Sequence, residues 1–352
     1  MKDKETIGVV LLNLGGPDSL HAIKPFLYNL FSDRQIIQLG PSFLQKPLAW
    51  LISTIRSKKT EKMYAMIGGK SPILNITIAQ AKALEEILNT PPPTPPPRGG
   101  RERVGVTGAK FKVYVAMRYW RPLIEEVIPE IYKDGIRKLI ALSLYPHYSL
   151  ATSGSSLSKF KKVASRYPIE TFCIPSWFNH PLYIEALVDV IKKGLESFKS
   201  EIQNLKSEID VHVLFSAHSL PMKIIDKGDP YVNQIKGTIE EITRRIPIKW
   251  HLSYQSKSGP VKWLEPSTDE KLNELAGEGV KDILVVPISF VSDHIETLYE
   301  IDILYKNIAE KLGIKVKRAP SLNTHPHFIE ALKDMAGKSV KEMGWQSDAK
   351  QM

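Results

Sequence analysis

The chain has 352 residues, of which 43% are hydrophobic and 24% are charged, and it carries a net charge of +10. The composition is ordinary for a globular protein, and the length predicts two domains, since single cores stop growing beyond roughly 250 to 300 residues. The single cysteine, Cys173, excludes disulfides within the chain, and its predicted strand position favours a small buried hydrophobe. The positive charge would attract anions, but the basic residues are scattered without a nucleic-acid-binding signature, so we expect no nucleic-acid partner.

The amino terminus leads directly into an apolar run, Ile7 to Leu14, which predicts a buried strand. No cleavable signal sequence and no apolar run of bilayer-spanning length is present, so we expect a cytoplasmic protein. Gly15-Gly16-Pro17 predicts a turn at the end of this strand. Because no GxGxxG or Walker pattern follows the turn, we reject a nucleotide site there.

The stretch from Pro41 to Ile55 predicts a helix with one apolar face, formed by Leu44, Leu48, Leu51 and Ile55. Cationic residues follow at once, namely Arg56, Lys58 and Lys59. Such a helix either lies at a membrane surface, with its cations on lipid headgroups, or packs into the core.

A helix over about 76–88 is followed by the segment 89–108, which contains the run PPPTPPP. Proline runs favour extended polyproline II, so this segment predicts a solvated insertion in the first domain. The next strand, Phe111 to Met117, ends at Arg118, which could pair with a carboxylate on a substrate or on a neighbouring domain. A further strand, Lys138 to Leu144, precedes Ser153–Ser156, where a helix would begin with its amides available to an anion.

Two strands in the second half of the sequence end in groups that can carry charge. The strand that begins at Asp210 ends at His218, and the strand 283–289 leads into FVSDHIETLYEID, residues 290–302. On a helix, Glu296 and Glu300 would lie four apart and repel, which favours a nearby divalent metal, Arg or Lys, or else a solvated acidic first turn. A histidine at a strand end facing these carboxylates predicts a proton acceptor or a metal ligand.

An internal repetition predicts two similar α/β halves. Asp134–Lys138 and Glu278–Asp282 have the same pattern, and each precedes a strand and a polar edge. We therefore expect two Rossmann-like domains, each a parallel sheet flanked by helices, with a cleft between their strand ends. The predicted boundaries are 1–168, 169–322 and a terminal helical segment 323–352, with the crossover around 168–180.

Nine motifs resemble ferrochelatase, the enzyme that inserts ferrous iron into a porphyrin to make haem. They occur in the family's order from about Ile7 to about Leu332, which is nearly the whole chain. The motifs are LNLGGPDS (12–19), GGKSPI (68–73), RYWRP (118–122), YPHYS with TSGSS (145–156), SAHSLP (216–221), GDPY (228–231), QSKSGP (255–260), WLEPSTDE (263–270) and SDHIETLYEID (292–302).

The resemblance implies two chelatase-type domains and a porphyrin in the cleft between them, with His218 and Glu296 as catalytic residues and metal ligands. Glu300 and Asp293 would form an accessory acidic path, which Asp302 could extend, on an irregular, widened helix. Arg118 would pair with Asp293 or with a propionate, and Asp293 and His294 would orient their neighbours. The implied porphyrin contacts are Leu14, Arg118, Tyr119, Ser155 and Trp263. Residues 41–59 would form a hydrophobic lip that receives the porphyrin and touches the membrane, and the final helix, about 327–336, would pack back on the first domain.

The implied reaction is the last step of haem biosynthesis, insertion of ferrous iron into protoporphyrin IX. Coproporphyrin insertion is the alternative within the class, and a non-enzymatic porphyrin or metal carrier is the alternative outside it. No cofactor is expected beyond the iron substrate, and a single cysteine does not supply the four thiolates of a [2Fe–2S] cluster. His325-Pro326-His327 would suit either a small metal site or a helix entry, and we favour the helix entry. The oligomeric state is left open.

Overall fold

The computed structural model describes residues 5–91, 109–200, 210–257, 259 and 261–345. Most of the predicted proline-rich insertion, 92–108, lies outside the described residues. Within the described ranges the chain forms two four-stranded sheets with helices packed on them.

The first sheet has the strand order β2-β1-β3-β4, and all of its strand pairs are parallel. The central strand is almost entirely buried, as its near-continuous apolar sequence predicts. Asn13 pairs with Met117 and Leu12 with Ser143, so the carboxyl ends of the three strands reach the same edge. The strands are β1 (Thr6–Asn13), β2 (Lys110–Met117), β3 (Lys138–Ser143) and β4 (Glu170–Ile174).

The second sheet repeats this topology with the order β6-β5-β7-β8, again with parallel pairs. The prediction of two similar α/β halves is therefore confirmed. The strand 170–174 pairs with β3, however, so the first sheet extends beyond residue 168, where we predict the first domain to end. The strands of the second sheet are β5 (Val211–His218), β6 (Trp250–Gln255), β7 (Asp282–Pro287) and β8 (Lys315–Arg318).

Helices connect the strands and cover both sheets. Short 3-10 turns at Leu20–Ala22 and Ser42–Leu44 precede the first two helices, and π-helical segments occupy Leu150–Gly154 and Glu296–Tyr305. The α-helices are α1 (Ile23–Ser32), α2 (Gln45–Ala65), α3 (Ile73–Asn89), α4 (Ile124–Lys133), α5 (Ser155–Ala164), α6 (Pro181–Ser200), α7 (Met222–Ile225), α8 (Tyr231–Thr243), α9 (Thr268–Gly277), α10 (Lys306–Lys311) and α11 (Pro326–Glu342).

Helix α2 buries its small and polar residues and exposes its large apolar ones. The buried positions Gln45, Ala49, Ser53 and Ser57 recur every four residues along one face. On the outside, Phe43 just before the helix is 76% exposed, and Ile55 and Trp50 are 68% and 56% exposed. The core-packing interpretation of the apolar face is therefore wrong, and α2 presents an apolar surface to solvent. No helix within the described residues has the length and apolar character needed to cross a bilayer.

The two halves meet along α3, α6 and α11. Helix α11, which extends to Glu342, packs against α6 and against α3 of the first half. The buried side chain of Gln80, on α3, donates hydrogen bonds to Ser292 Oγ at 3.0 Å and to the carbonyl oxygen of Asn323 at 2.8 Å. This helix of the first half therefore fixes the loop that leads into the acidic segment of the second half.

Candidate active site

His218 is the last residue of the central strand of the second sheet. Its backbone N–H donates to Ser289 Oγ at 2.9 Å, and its carbonyl accepts a hydrogen bond from the Tyr231 hydroxyl at 2.9 Å. The imidazole ring meets Phe290 edge to face, with 6.0 Å between the ring centroids. These contacts hold the ring at the carboxyl edge of the sheet, where 31% of its side-chain surface is exposed.

Glu296 lies beside His218 and is almost fully buried. The Nδ1 atom of His218 lies 3.0 Å from Oε1 and 2.9 Å from Oε2 of this carboxylate. Burial alone would raise the pKa of Glu296, but the charge and hydrogen bond of His218 outweigh burial and hold that pKa well below its usual value. Burial would likewise lower the pKa of His218, and the Glu296 charge outweighs it and raises that pKa. The two side chains therefore form an ion pair whenever the imidazole is protonated.

A single hydroxyl links Glu296 to the next carboxylate of the acidic run. Ser256 Oγ lies 2.9 Å from Glu296 Oε2 and 2.6 Å from Glu300 Oε2, while Gln255 Nε2 donates to Glu296 at 3.1 Å. Burial and the neighbouring Glu296 charge raise the pKa of Glu300 to about 7. Because one hydroxyl donates a single proton, it hydrogen-bonds one carboxylate at a time. A proton on Glu300 removes the charge repulsion between Glu296 and Glu300.

The backbone of this acidic run is a π-helix over Glu296–Tyr305, which confirms the expected widened helix. Helices with i→i+5 bonds are rare and occur frequently at functional sites. Here the π-helix begins at Glu296 itself and brings Glu300, one turn later, onto the same hydroxyl of Ser256. Ser256 has a left-handed φ of 66°, which is uncommon for a residue with a side chain.

Arg318, at the end of β8, holds two other carboxylates of the run. It binds Asp302 through two hydrogen bonds of 2.8 and 2.9 Å and Asp293 through one of 3.0 Å. Asp293 also accepts hydrogen bonds from Thr297, Ser321 and Asn323. Burial would raise the pKa of Asp293, but Arg318 and these donors hold it below its usual value. Both carboxylates therefore bind Arg318 and help to fix the helix, and their place in an acidic path stays a prediction. The orienting role expected of Asp293 fits this geometry.

Arg118 does not pair with Asp293, so that one of its two predicted partners is wrong, while a propionate partner stays a prediction. Its guanidinium binds Asp33 Oδ2 at 2.6 Å and Ser155 Oγ at 2.9 Å. The Tyr119 hydroxyl also donates to Asp33, at 2.7 Å. Tyr119 and Ser155 are 2% and 1% exposed, and their hydroxyls hydrogen-bond Asp33 inside the first half. Their contacts with a porphyrin stay predictions.

Two tyrosines of the first half, Tyr64 and Tyr145, interact electrostatically with Glu296. Burial raises the pKa of Tyr64 and of Tyr145, and the nearby charge of Glu296 raises both further, so these phenols stay neutral. Arg56, on α2, interacts electrostatically with Glu300 and stacks over the Phe31 ring at 5.4 Å. His218, Glu296 and Glu300 therefore lie between the two halves.

A cleft of about 870 Å³ opens between the halves. His218 does not line this cleft; it lines a separate small cavity of about 10 Å³, together with Tyr145, His147 and Phe290. One wall is the segment 34–38 with Tyr148 and Leu150, and the other wall begins at Pro221, three residues after His218, and includes Lys262. Such a volume is within the range of pockets that hold large organic ligands. Trp263, half-buried, pairs through its backbone with Pro221, and half-buried Leu14 packs against the cluster around Tyr119. Both remain predicted ligand contacts.

Ser256, Gln255 and Arg318 join the site although we did not predict roles for them. Gln255 and Ser256 lie at the carboxyl end of a strand, within QSKSGP. That position is the sequence feature that could have predicted their place in the site. Asp33 has no comparable signal, because its partner Arg118 lies 85 residues away in the sequence. Cys173 lies in a strand, β4, as predicted, but it is half-buried rather than fully buried; this partial burial raises the pKa of its thiol.

Comparisons with known proteins agree with this geometry. A sequence model of the ferrochelatase family matches residues 6–340. The ferrochelatase of Desulfotalea psychrophila is 50% identical over 337 residues, which cover 94% of this chain and 97% of the relative. The ferrochelatase of Geobacter metallireducens is 48% identical over 339 residues, which cover 95% of this chain and 99% of the relative.

Among solved structures, SirB from Bacillus subtilis with Fe3+ covers 98% of this chain and 100% of its own, with a TM-score of 0.52 and 13% identity, a likeness of fold alone. The family match and the identities extend over almost the whole length of the sequence. The chain therefore belongs to the ferrochelatase family.

Proposed function

We propose that this protein inserts ferrous iron into protoporphyrin IX, with release of two pyrrole protons. The observation that carries the proposal is the hydrogen-bonded pair of His218 and Glu296. A large cleft between the halves begins at Pro221, three residues after His218. Metal insertion requires a group that accepts protons from the ring and a route by which those protons leave. The pair and the carboxylate beyond it supply both.

His218 acts as the proton acceptor. Its Nδ1 atom is engaged by Glu296, and no described residue hydrogen-bonds Nε2, which is the atom left to face a ring. A carboxylate beside an imidazole stabilises the imidazolium that forms when Nε2 takes up a proton. Because Glu296 raises the pKa of His218, the imidazole is a better base than a free histidine.

The proton then leaves along Glu296, Ser256 and Glu300. Adjacent oxygens along this chain lie 2.9 and 2.6 Å apart, which is within hydrogen-bond distance at both steps. Glu300, with a pKa of about 7, both accepts and releases a proton near neutral pH. The oxygens of Glu296 and Glu300 are also suitable ligands for the incoming iron, which accepts imidazole and carboxylate donors.

The exposed apolar surface of residues 41–59 supports protoporphyrin over coproporphyrin. Coproporphyrin carries four carboxylates and is the more polar ring, whereas protoporphyrin is poorly soluble. Phe43, Trp50, Leu51 and Ile55 form an apolar surface that suits the more hydrophobic ring. The same surface would lie in the membrane interface, with Lys58 and Lys59 on lipid headgroups.

Replacing His218 by Ala is expected to leave porphyrin binding nearly unchanged and to lower the rate of metal insertion by about 100-fold or more, because the proton acceptor is lost. Anaerobic insertion of Fe(II) or Zn(II) and quenching of porphyrin fluorescence measure the two quantities. His21→Ala, at an exposed position, is the matched control. Equal insertion by His218→Ala and the control would favour a non-enzymatic carrier.

Insertion is expected to speed up as the pH rises through about 7, because Glu300, with a pKa of about 7, accepts a proton only when it is deprotonated. Glu300→Gln should lower the rate by about 10- to 100-fold and remove this inflection. The measurement is kcat as a function of pH, with Glu310→Gln on the exposed face of α10 as control. An unchanged inflection in Glu300→Gln would rule out the proposed route.

The substrate assignment predicts that kcat/KM for protoporphyrin exceeds that for coproporphyrin by at least about tenfold, since a hydrophobic ring gains more from apolar walls. Both porphyrins are compared with the same metal under anaerobic conditions. Preferential turnover of coproporphyrin would replace the present assignment, whereas turnover of neither ring would point to a carrier.

The double replacement Trp50→Ser and Ile55→Ser is expected to reduce association with vesicles of phosphatidylcholine and phosphatidylglycerol at least about tenfold, because each side chain contributes about 1.5–3 kcal/mol on burial. Cosedimentation measures the bound fraction. Ile78→Ser removes an apolar side chain that is 50% exposed on α3 and serves as control. If all three proteins bind equally, residues 41–59 are not the membrane contact.

A further inference from the structure

Three side chains with metal-binding atoms converge where α11 begins beside α6. His325 immediately precedes α11, and Pro326 occupies its first turn, which confirms the predicted helix entry. Asp189 projects from α6, and its Oδ2 atom lies 3.2 Å from His327 Nδ1 and 3.7 Å from His325 Nε2. One ligand atom from each of the three residues lies within 4.8 Å of the other two.

These contacts are not those of a hydrogen-bonded ion pair. The distance to His325 is too long for a hydrogen bond, and His327 Nδ1 is buried without a hydrogen-bond partner among the described residues, although it lies beside the carboxylate. The His180 and Asp334 pair shows the contrast, since its Nε2 and Oδ2 atoms form a hydrogen bond of 2.9 Å. At Asp189 the three ligand atoms lie close together without such a hydrogen bond.

We propose that Asp189, His325 and His327 bind a divalent transition-metal ion, with Zn²⁺ as the representative case. Two imidazole nitrogens and one carboxylate oxygen are a common ligand set for zinc, and a water would complete a tetrahedral site. Ligand atoms about 2.0–2.2 Å from one ion lie at most about 4.4 Å apart, so the distances of 3.2 and 3.7 Å fit without movement of the backbone.

Solvent reaches this cluster, so an ion has a way in. The side chains of His327 and Asp189 are 45% and 39% exposed, while that of His325 is 12% exposed and anchors the site. Lys193, one turn beyond Asp189 on α6, interacts electrostatically with His325, and its positive charge opposes a bound cation. The two imidazoles and the carboxylate still favour a divalent metal ion, and removal of the Lys193 charge should tighten binding of that ion.

The bound ion would join two helices that already pack against each other. It would link His325, at the start of α11, to the middle of α6. His325 lies two residues after Asn323, whose side chain donates a hydrogen bond to Asp293. The site is separate from His218 and Glu296, and it does not depend on the proposed chelatase activity. Its role is structural, and we expect its occupancy to raise the thermal stability of the folded chain.

Zinc binding to the full chain, stripped of metal with a chelator, tests the proposal. His327→Ala is expected to bind one Zn²⁺ fewer per chain than the wild type, or to bind that ion at least about tenfold more weakly, in isothermal titration calorimetry. The same difference in zinc binding should appear between His218→Ala and the double variant His218→Ala with His327→Ala. This comparison separates the ion at His327 from any metal bound at the active site. His21→Ala should bind as the wild type does, and Lys193→Ala should bind more tightly.

The increase in Tm caused by Zn²⁺ should be smaller for His327→Ala than for the wild type, while its insertion activity stays unchanged. The side chain of His327 is 45% exposed, and circular dichroism checks that His327→Ala remains folded. Equal zinc stoichiometry and affinity in the wild type and His327→Ala would overturn the proposal and leave the cluster as a surface ion pair.

Discussion

The buried contact between the His218 imidazole and the Glu296 carboxylate is the interaction on which the rest of the site depends. A carboxylate so deeply buried is costly unless it is paired and hydrogen-bonded. His218, Gln255 and Ser256 supply the partners, and they come from the carboxyl ends of two neighbouring parallel strands. The sheet therefore fixes the pair in position before any ligand arrives, which is the preorganisation that a proton acceptor needs.

The carboxylates of the acidic run divide into two groups with different tasks. Asp293 and Asp302 are neutralised by Arg318, which ties the π-helix to β8, and Gln80 anchors the preceding loop to the first half. Glu296 and Glu300 both accept a hydrogen bond from the Ser256 hydroxyl, and Arg56 interacts electrostatically with Glu300. Under the proposed proton route, this anchoring would let Glu296 and Glu300 change protonation without movement of the backbone.

The sequence predicted the parts of this arrangement that follow from local pattern. Buried parallel strands read as continuous apolar runs, so the ends at His218 and before the acidic run were predictable, as was the repeated topology. The partner of Arg118 was not predictable from the sequence, because its contact with Asp33 depends on how distant segments of the chain pack. The orientation of α2 was also left open, since periodicity identifies an apolar face without showing whether it lies inside or outside.

A crystal structure of the protein with a bound, non-metallated porphyrin tests the central claim most directly. The account predicts a ring in the cleft with Nε2 of His218 within hydrogen-bond distance of a pyrrole nitrogen, while Nδ1 keeps its contact with Glu296. A ring bound elsewhere, or an imidazole that turns away from the ring and breaks from Glu296, would contradict it.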